Sequence, residues 1–256
     1  MQLQQNKSLL PYNTFHIDVN AEFFTELNDV SSLAEISALP QQKHILGGGS
    51  NILLIQPLKG IVIHNNLKGI VLEKEDDQHV WLRVASGEIW HELVMHTVNH
   101  GWGGLENLAL IPGTVGASPI QNIGAYGVEA KETIESVECW SWNQRTLQNF
   151  SNSDCEFGYR DSIFKRILKN EVLITSVLFR LNKVPVYNIS YGALEDELKQ
   201  MGVEELSVKA IAYAVMNIRR SKLPDPKVTG NAGSFFKNPT ISKLLYDKIH
   251  ANYPGI

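Results

Sequence analysis

Gly47-Gly48-Gly49-Ser50-Asn51 is the first stretch whose residue types suit a ligand better than a core. Consecutive glycines let successive backbone N–H groups face one concavity, which suits a pyrophosphate. No Gly-Lys-Ser/Thr follows, so it is not a nucleoside-triphosphatase loop. An apolar run rather than a helix follows, so it is not the dinucleotide fingerprint either. A tight glycine hairpin fits the same residues. The second stretch, Asn107 to Val128, carries no charge over 22 residues, the length of a membrane span. Pro112, Pro119 and four glycines would break such a helix, so the stretch reads as an internal loop system. Its small residues permit close backbone approach to a flat ligand, and a long uncharged loop is more readily explained by a ligand over it than by a bare surface.

Three further groups hold titratable side chains. His91, Glu92 and His96 are spaced HExxxH, not HExxH, and on a helix the two histidines point roughly 140° apart. His96 and His100 share a face without a third ligand, so solvated surface histidines are the simpler reading. Gly158-Tyr159-Arg160-Asp161-Ser162-Ile163-Phe164 places an arginine among aromatics beside a carboxylate, and a surface salt bridge is the plain alternative. From Arg219 to Lys237 the local charge is +4, from Arg219, Arg220, Lys222, Lys227 and Lys237 against Asp225, in a chain of net charge -4. Cations at a helix C-terminus complement its dipole, and this cluster also suits a phosphorylated ligand. Ser234 lies within it in a Gly-Ser context, with no adjacent His or Asp to mark a nucleophile.

The elements that must position these groups read as mixed α and β. Ser31 to Leu39 has the pattern of a short helix capped by Ser31 or Ser32. His44 to Leu46 and Ile52 to Ile55 read as strands flanking the glycine loop, and Ile61 to Ile63 as another. Val80, Leu82 and Val84 alternate with polar or amphipathic neighbours, as in a half-buried strand. Trp90 to Val98 has helical spacing stopped by Gly101. Ile134 to Trp142 and Val172 to Arg180 read as strands, Val184-Pro185 as a boundary, and Val208 to Arg220 as a helix capped by Ser207. The expected class is α+β, with a larger domain to about residue 184 and a smaller one after it.

Composition narrows the class. Of 256 residues, 43% are hydrophobic, which excludes wholesale disorder. The near balance of charge argues against a globally basic nucleic-acid binder and leaves room only for a local basic patch. Two cysteines, Cys139 and Cys155, exclude a disulfide scaffold and a four-cysteine metal site, and suit a reducing compartment. The first residues lack the apolar region of a secretory signal.

Pro11-Tyr12-Asn13-Thr14-Phe15, the Gly47 to Asn51 loop, Gly104-Leu105-Glu106-Asn107-Leu108 through Gly127, Gly158 to Phe164 and Leu223 to Pro239 resemble, in order and over nearly the whole chain, the UDP-N-acetylenolpyruvoylglucosamine reductase (UDP-N-acetylmuramate dehydrogenase) family. Tyr191-Gly192 resembles the subtype with a tyrosine loop over the substrate. The resemblance implies a cytoplasmic bacterial flavoprotein of peptidoglycan synthesis, with an FAD domain of the vanillyl-alcohol-oxidase (PCMH) type. It places the two lobes of that domain at 1–66 and 67–184 and an incomplete α+β substrate-binding domain at 185–256. It implies that Gly47, Gly48, Gly49, Ser50 and Asn51 hold the FAD pyrophosphate. Ile111, Pro112, Gly113, Gly116, Ala117, Ser118, Gln121, Ile123, Gly124, Ala125, Tyr126 and Gly127 would line the isoalloxazine.

By the same resemblance Tyr159, Tyr191, Arg219, Lys222 and Asn238 contact the UDP-sugar, and Arg160 and Ser234 are catalytic. NADPH would reduce the flavin and leave. The flavin would pass hydride to the vinyl carbon of UDP-N-acetylglucosamine enolpyruvate. Arg160 would stabilise the developing negative charge and Ser234 would donate the proton. The glycine loop and the uncharged stretch contain no His or Cys, so non-covalent FAD is expected rather than the tethered flavin of related oxygen-using oxidases. No metal, nucleic acid or membrane span is implied. The family extends past the position matching Ile256 and carries there a glutamate that assists Arg160 and Ser234. The resemblance therefore implies a C-terminally truncated chain, and a catalytically impaired flavin or nucleotide-sugar binder is the alternative.

Overall fold

The computed structural model describes residues 1–234 and 237–254, so Phe235 and Phe236 of the last resemblance motif, and Ile256, lie outside the described residues. The chain builds its first sheet from β1 (Gln4–Ser8), β2 (Asn20–Leu27), β3 (Lys43–Leu46) and β4 (Leu58–Asn65), with α1 (Leu33–Ala38) between β2 and β3. The spatial order is β1-β2-β4-β3. β1 runs antiparallel to β2, whereas β4 pairs parallel with both β2 and β3. A central parallel strand is covered on both faces, and β4 shows how. Ile61 and Ile63 point into one core with Leu27, Leu33 and Ile36, while Val62 points into another with Leu9, Phe24 and Leu46.

The parallel pairing of β3 and β4 excludes a glycine hairpin between them. Ile52 to Ile55, expected as a strand, is an irregular link. Leu54 is buried, but Ile55 is 81% exposed. The run is apolar but pairs with no strand of the sheet. Ser32 stands at the N-cap position of α1 but makes no side-chain capping bond; the side-chain cap is Asp29, ahead of the turn Val30–Ser32 that precedes α1, whose carboxylate accepts from Ser31 N at 2.7 Å.

The second sheet contains β5 (Ile70–Glu75), β6 (His79–Ala85), β9 (Ile134–Ser141), β10 (Thr146–Ser151) and β11 (Val172–Asn182) in the order β10-β9-β11-β6-β5. All its pairings are antiparallel. Between β6 and β9 lie α2 (Trp90–Asn99) and the small pair β7 (Gly124–Ala125) and β8 (Val128–Glu129). After β11 come α3 (Gly192–Gln200), α4 (Val208–Lys222) and α5 (Lys243–Asn252). Ser207 caps α4 by accepting from Ala210 N.

Val80, Leu82 and Val84 of β6, Leu93 and Val94 of α2, Leu194 and Leu198 of α3, and Ile211 and Val215 of α4 share one apolar core. α3 and α4 thus cover the second sheet. Trp140 and Leu173 of that sheet enter the core beneath α1, which joins the two sheets. No residue of α5 is buried. Among the described residues, no helix is long and apolar enough to cross a membrane, and no group of three His, Cys, Asp or Glu side chains could hold a metal ion.

Candidate active site

The glycine loop leaves β3 and runs directly against the uncharged stretch. A Cβ on Gly48 would lie 3.1 Å from Gly113 Cα, and one on Gly47 2.6 Å from Thr114 Oγ1. Asn51 Nδ2 donates to Gln121 Oε1 at 3.4 Å. Gly49 takes φ +60°, a left-handed backbone that suits glycine, with the Tyr12 carbonyl where a Cβ would stand. Its carbonyl accepts from Thr14 N at 3.2 Å. The Pro11 to Phe15 motif is therefore the floor on which the loop rests.

The uncharged stretch is anchored from α2 and β6. Trp90 N donates to Gly113 O at 3.0 Å, and Trp90 Nε1 donates to Leu108 O at 2.9 Å. Gly116 N donates to Ser86 O at 2.8 Å. Ser118 and Ile123 are buried, and the Ser118 hydroxyl donates to Val115 O. Gly113, Thr114, Gly124, Ala125 and Tyr126 are half-buried, while Pro112, Ala117 and Gly127 are exposed.

Arg160 reaches this stretch from the β10–β11 connection. Its guanidinium donates to Asn122 O at 3.4 Å and to Gly124 O, and stands 5.5 Å from the Tyr159 ring centroid. The plain salt bridge does not form with Arg160. Asp161 pairs instead with Arg166 at 2.5 Å, and that partner holds the Asp161 carboxyl below its ordinary value. Asn122, Tyr126, Arg160 and Leu110 all take positive φ, between +43° and +58°. Left-handed backbone at non-glycine residues is uncommon, and its concentration here marks a geometry that the surrounding contacts impose.

Arg219 comes from the last turn of α4. Its Nε donates to Leu110 O at 3.2 Å, and its guanidinium lies beside the Tyr126 phenol. Burial pushes the Tyr126 phenol up and the Arg219 guanidinium down from their ordinary values, each opposed by the other. Tyr191 packs edge-on against Tyr126, centroids 5.3 Å apart. Thus the tyrosine, the arginine and the uncharged stretch meet.

Ser234 is exposed, in a segment strapped across the first sheet's loops. Thr14 Oγ1 donates to Asn231 O at 2.6 Å, Asn231 N to Thr14 O at 3.1 Å, and His16 Nε2 meets Pro226 O at 2.8 Å. Beyond Ser234, Lys237 Nζ lies 5.3 Å from the Tyr159 centroid. Ser234 thus falls between a contact to the glycine-loop floor and a contact to the residue beside Arg160. Lys222 and Asn238 are exposed.

Sequence reasoning missed several positioning groups. Asn107 Nδ2 donates to both Tyr126 O at 3.0 Å and Asn188 O at 2.8 Å, while Asn188 Nδ2 donates to Gly127 O at 3.0 Å. This amide pair ties the uncharged stretch to the loop that carries Tyr191. Glu106, 3% exposed, accepts from Gly104 N at 2.6 Å, and burial raises its carboxyl. His91 is no solvated surface histidine: it is half-buried, and its Nδ1 accepts from Leu110 N at 3.1 Å. His96 and His100 pack with each other and Trp102. An open concavity of about 1120 Å³ on the first sheet, lined by Gln5, Asn20, Glu22, His44 and Lys59 among others, includes none of the candidate site residues.

Comparison with known proteins bears on this arrangement. The FAD binding domain family matches residues 23–148. The UDP-N-acetylenolpyruvoylglucosamine reductase of Flavobacterium johnsoniae is 45% identical over 257 residues, covering 99% of this chain and 76% of that protein. The crystal structure of the UDP-N-acetylenolpyruvylglucosamine reductase from Thermus caldophilus superposes with a TM-score of 0.70 at 22% identity, over 97% of this chain and 80% of that one. A solvent-stable cholesterol oxidase shares the fold more distantly, with a TM-score of 0.53 at 12% identity over 71% of this chain and 38% of that one.

Proposed function

The chain belongs to the UDP-N-acetylenolpyruvoylglucosamine reductase family, and from that premise we propose that it reduces the enolpyruvyl ether of UDP-N-acetylglucosamine to UDP-N-acetylmuramate, a step of peptidoglycan synthesis, as an FAD-containing oxidoreductase. The observation that carries the reading is the meeting of Gly47 to Asn51 with Gly113 and Thr114, where Gly48 packs against the Gly113 backbone and Gly47 against the Thr114 hydroxyl with little room for a Cβ at either. A glycine-rich cradle of this kind, with Gly48 and Asn51 at the surface, fits a pyrophosphate and a flat ring system. Gly47 to Asn51 would hold the pyrophosphate of FAD, and Ile111 to Gly127 would line its ring. FAD, when bound, supplies the hydride that saturates the enolpyruvyl double bond, and NADPH replenishes it.

The rest falls to the chain's own groups. Negative charge develops on the substrate's carboxylate side as hydride arrives. Arg160 is a cation fixed by the Asn122 and Gly124 carbonyls, so it stabilises that charge without reorganising. Ser234 donates the proton. A hydroxyl is a weak acid, and the basic cluster around it, with Lys237 nearby, favours the charge left behind. Arg219 and Lys222 suit the diphosphate, Tyr159 and Tyr191 offer aromatic faces, and Asn238 offers an amide. Residues 185–256 serve as the substrate-binding portion in this reading, and 1–66 with 67–184 as the lobes that hold FAD.

The reading is tested by isolating the protein and examining its flavin. FAD released by heat or acid, and a flavin spectrum perturbed by UDP-N-acetylglucosamine enolpyruvate, are expected. Protein that gains no flavin spectrum when FAD is added would overturn it.

A further inference from the structure

Leu110 is held from both sides. Its N–H is accepted by His91 Nδ1 on α2 at 3.1 Å, and its carbonyl accepts from Arg219 Nε on α4 at 3.2 Å. It takes φ +58°, a conformation that a leucine adopts only when its surroundings enforce it. Arg219 continues the chain of contacts to Tyr126, and Tyr126 to Tyr191. One residue, through the two peptide units that flank it, therefore links His91 of α2 to Arg219 of α4.

We propose that His91 is a positioning residue for substrate binding: its Nδ1 lone pair holds Leu110 so that the Leu110 carbonyl seats Arg219 for the diphosphate of the UDP-sugar. The proposal rests on the functional reading above, which assigns Arg219 to the substrate. The hydrogen bond assigns the tautomer, with the proton on Nε2 and Nδ1 as acceptor. A protonated imidazole has a donor at both nitrogens, so it would set a donor against the Leu110 N–H. The left-handed leucine would then lose its restraint, and Arg219 the carbonyl that orients it.

Burial and the cations facing His91 work against that protonation. Burial lowers its affinity for a proton, as do Arg219 and Arg220 of α4, while Glu92 on its own helix opposes them. The direction is a folded-state value below the ordinary 6.5. The neutral, bonded form is therefore complete above the ordinary value and is lost as pH falls through the depressed one.

The test compares His91→Asn, whose amide oxygen reaches the position of an acceptor at Nδ1, with His91→Phe, which keeps bulk without the acceptor. UDP-N-acetylglucosamine enolpyruvate is the probe, and FAD content is measured for each protein. In His91→Phe the KM for the probe is expected to rise about tenfold, the scale of one lost hydrogen bond. FAD content and the limiting rate of flavin reduction at saturating NADPH should stay within about twofold. His91→Asn should return KM to within about threefold of the parent, and should abolish the weakening of probe binding that the parent shows on acidification below the ordinary histidine range.

A His91→Asn variant no better than His91→Phe overturns the proposal, as does an acid limb that persists in His91→Asn. Equal losses of flavin and probe binding in His91→Phe would mean a merely structural role, and overturn it too. If the parent protein binds FAD but not the probe, the functional reading fails and the proposal with it. If the parent binds the probe and the variants match it, the proposal alone fails.

Discussion

Gly48→Val probes the cradle more selectively than any other single change. The Cβ of residue 48 would stand 3.1 Å from Gly113 Cα and 3.5 Å from Gly113 C. Both partners are backbone, so no side chain can rotate away, and Gly48 has no positive φ to confuse the result. With alanine, the two segments must part by a few tenths of an ångström, at a cost near the low end of overpacking, about 1 kcal/mol. Valine adds two methyl groups in the same gap and should reach about 3 kcal/mol. If the gap forms part of the FAD site, the strain appears as weakened binding, since each 1.4 kcal/mol is about tenfold. The expected rise in the FAD dissociation constant is about fivefold for alanine and about hundredfold for valine. Quenching of flavin fluorescence on titrating apoprotein with FAD reads it directly. The thermal midpoint of the apoprotein shows how much strain is carried without the ligand. Gly192→Ala is the control, because nothing lies within 4 Å of a Cβ there. A Gly48→Val protein with parental FAD affinity and a parental midpoint would refute the cradle.

Four other outcomes are expected. Ser234→Ala should leave flavin reduction by NADPH unchanged and slow reoxidation by the enolpyruvyl substrate by about 10²-fold, the scale of a lost general acid; stopped-flow absorbance of each half-reaction checks it, and equal slowing of both would make Ser234 structural. Arg160→Lys should also impair reoxidation, because one ammonium cannot bond the Asn122 and Gly124 carbonyls and still present a planar fork to a carboxylate. Asn107→Ala removes the donor shared by the Tyr126 and Asn188 carbonyls and should destabilise the fold by roughly 1–3 kcal/mol in a denaturant titration, with weaker substrate binding than FAD loss alone explains. The Cys155 thiol is pushed up to about 12, chiefly by burial, and burial raises Cys139 as well; neither should react appreciably with a thiol reagent at neutral pH until the protein is unfolded, and rapid native labelling would contradict that.

How far the site could be read in advance follows from the range of its interactions. Absence of charge from Asn107 to Val128 is visible in a single sequence, because it is local, and that stretch is where Arg160, Tyr126 and Arg219 converge. Spacing identified α2 and α4, whose apolar faces repeat with the helical period. Ile52 to Ile55 misled because an apolar run signals a strand only when a neighbouring strand pairs with it, and β3 pairs with β4 instead. β1, with the sequence QQNKS, has no apolar alternation to announce it, and it pairs as an edge strand. His91 was misjudged because its partner Leu110 lies 19 residues on. Asn107 stood inside a recognised motif, yet its partner Asn188 is 81 residues away, and no spacing rule reaches that far. Ser31 and Ser32 are good capping types, but Asp29 has the extended backbone that an N-cap needs, φ -146° and ψ 135°.

The central claim is that this chain carries FAD in the Gly48–Gly113 cradle and uses it to reduce an enolpyruvyl ether beside Arg160. The direct measurement is an anaerobic single turnover: the protein's flavin is reduced with one equivalent of NADPH, and UDP-N-acetylglucosamine enolpyruvate is then added. The account predicts that the oxidised flavin spectrum returns and that UDP-N-acetylmuramate forms in equal amount. A flavin that stays reduced in the presence of bound substrate, or that reoxidises without that product, would contradict it.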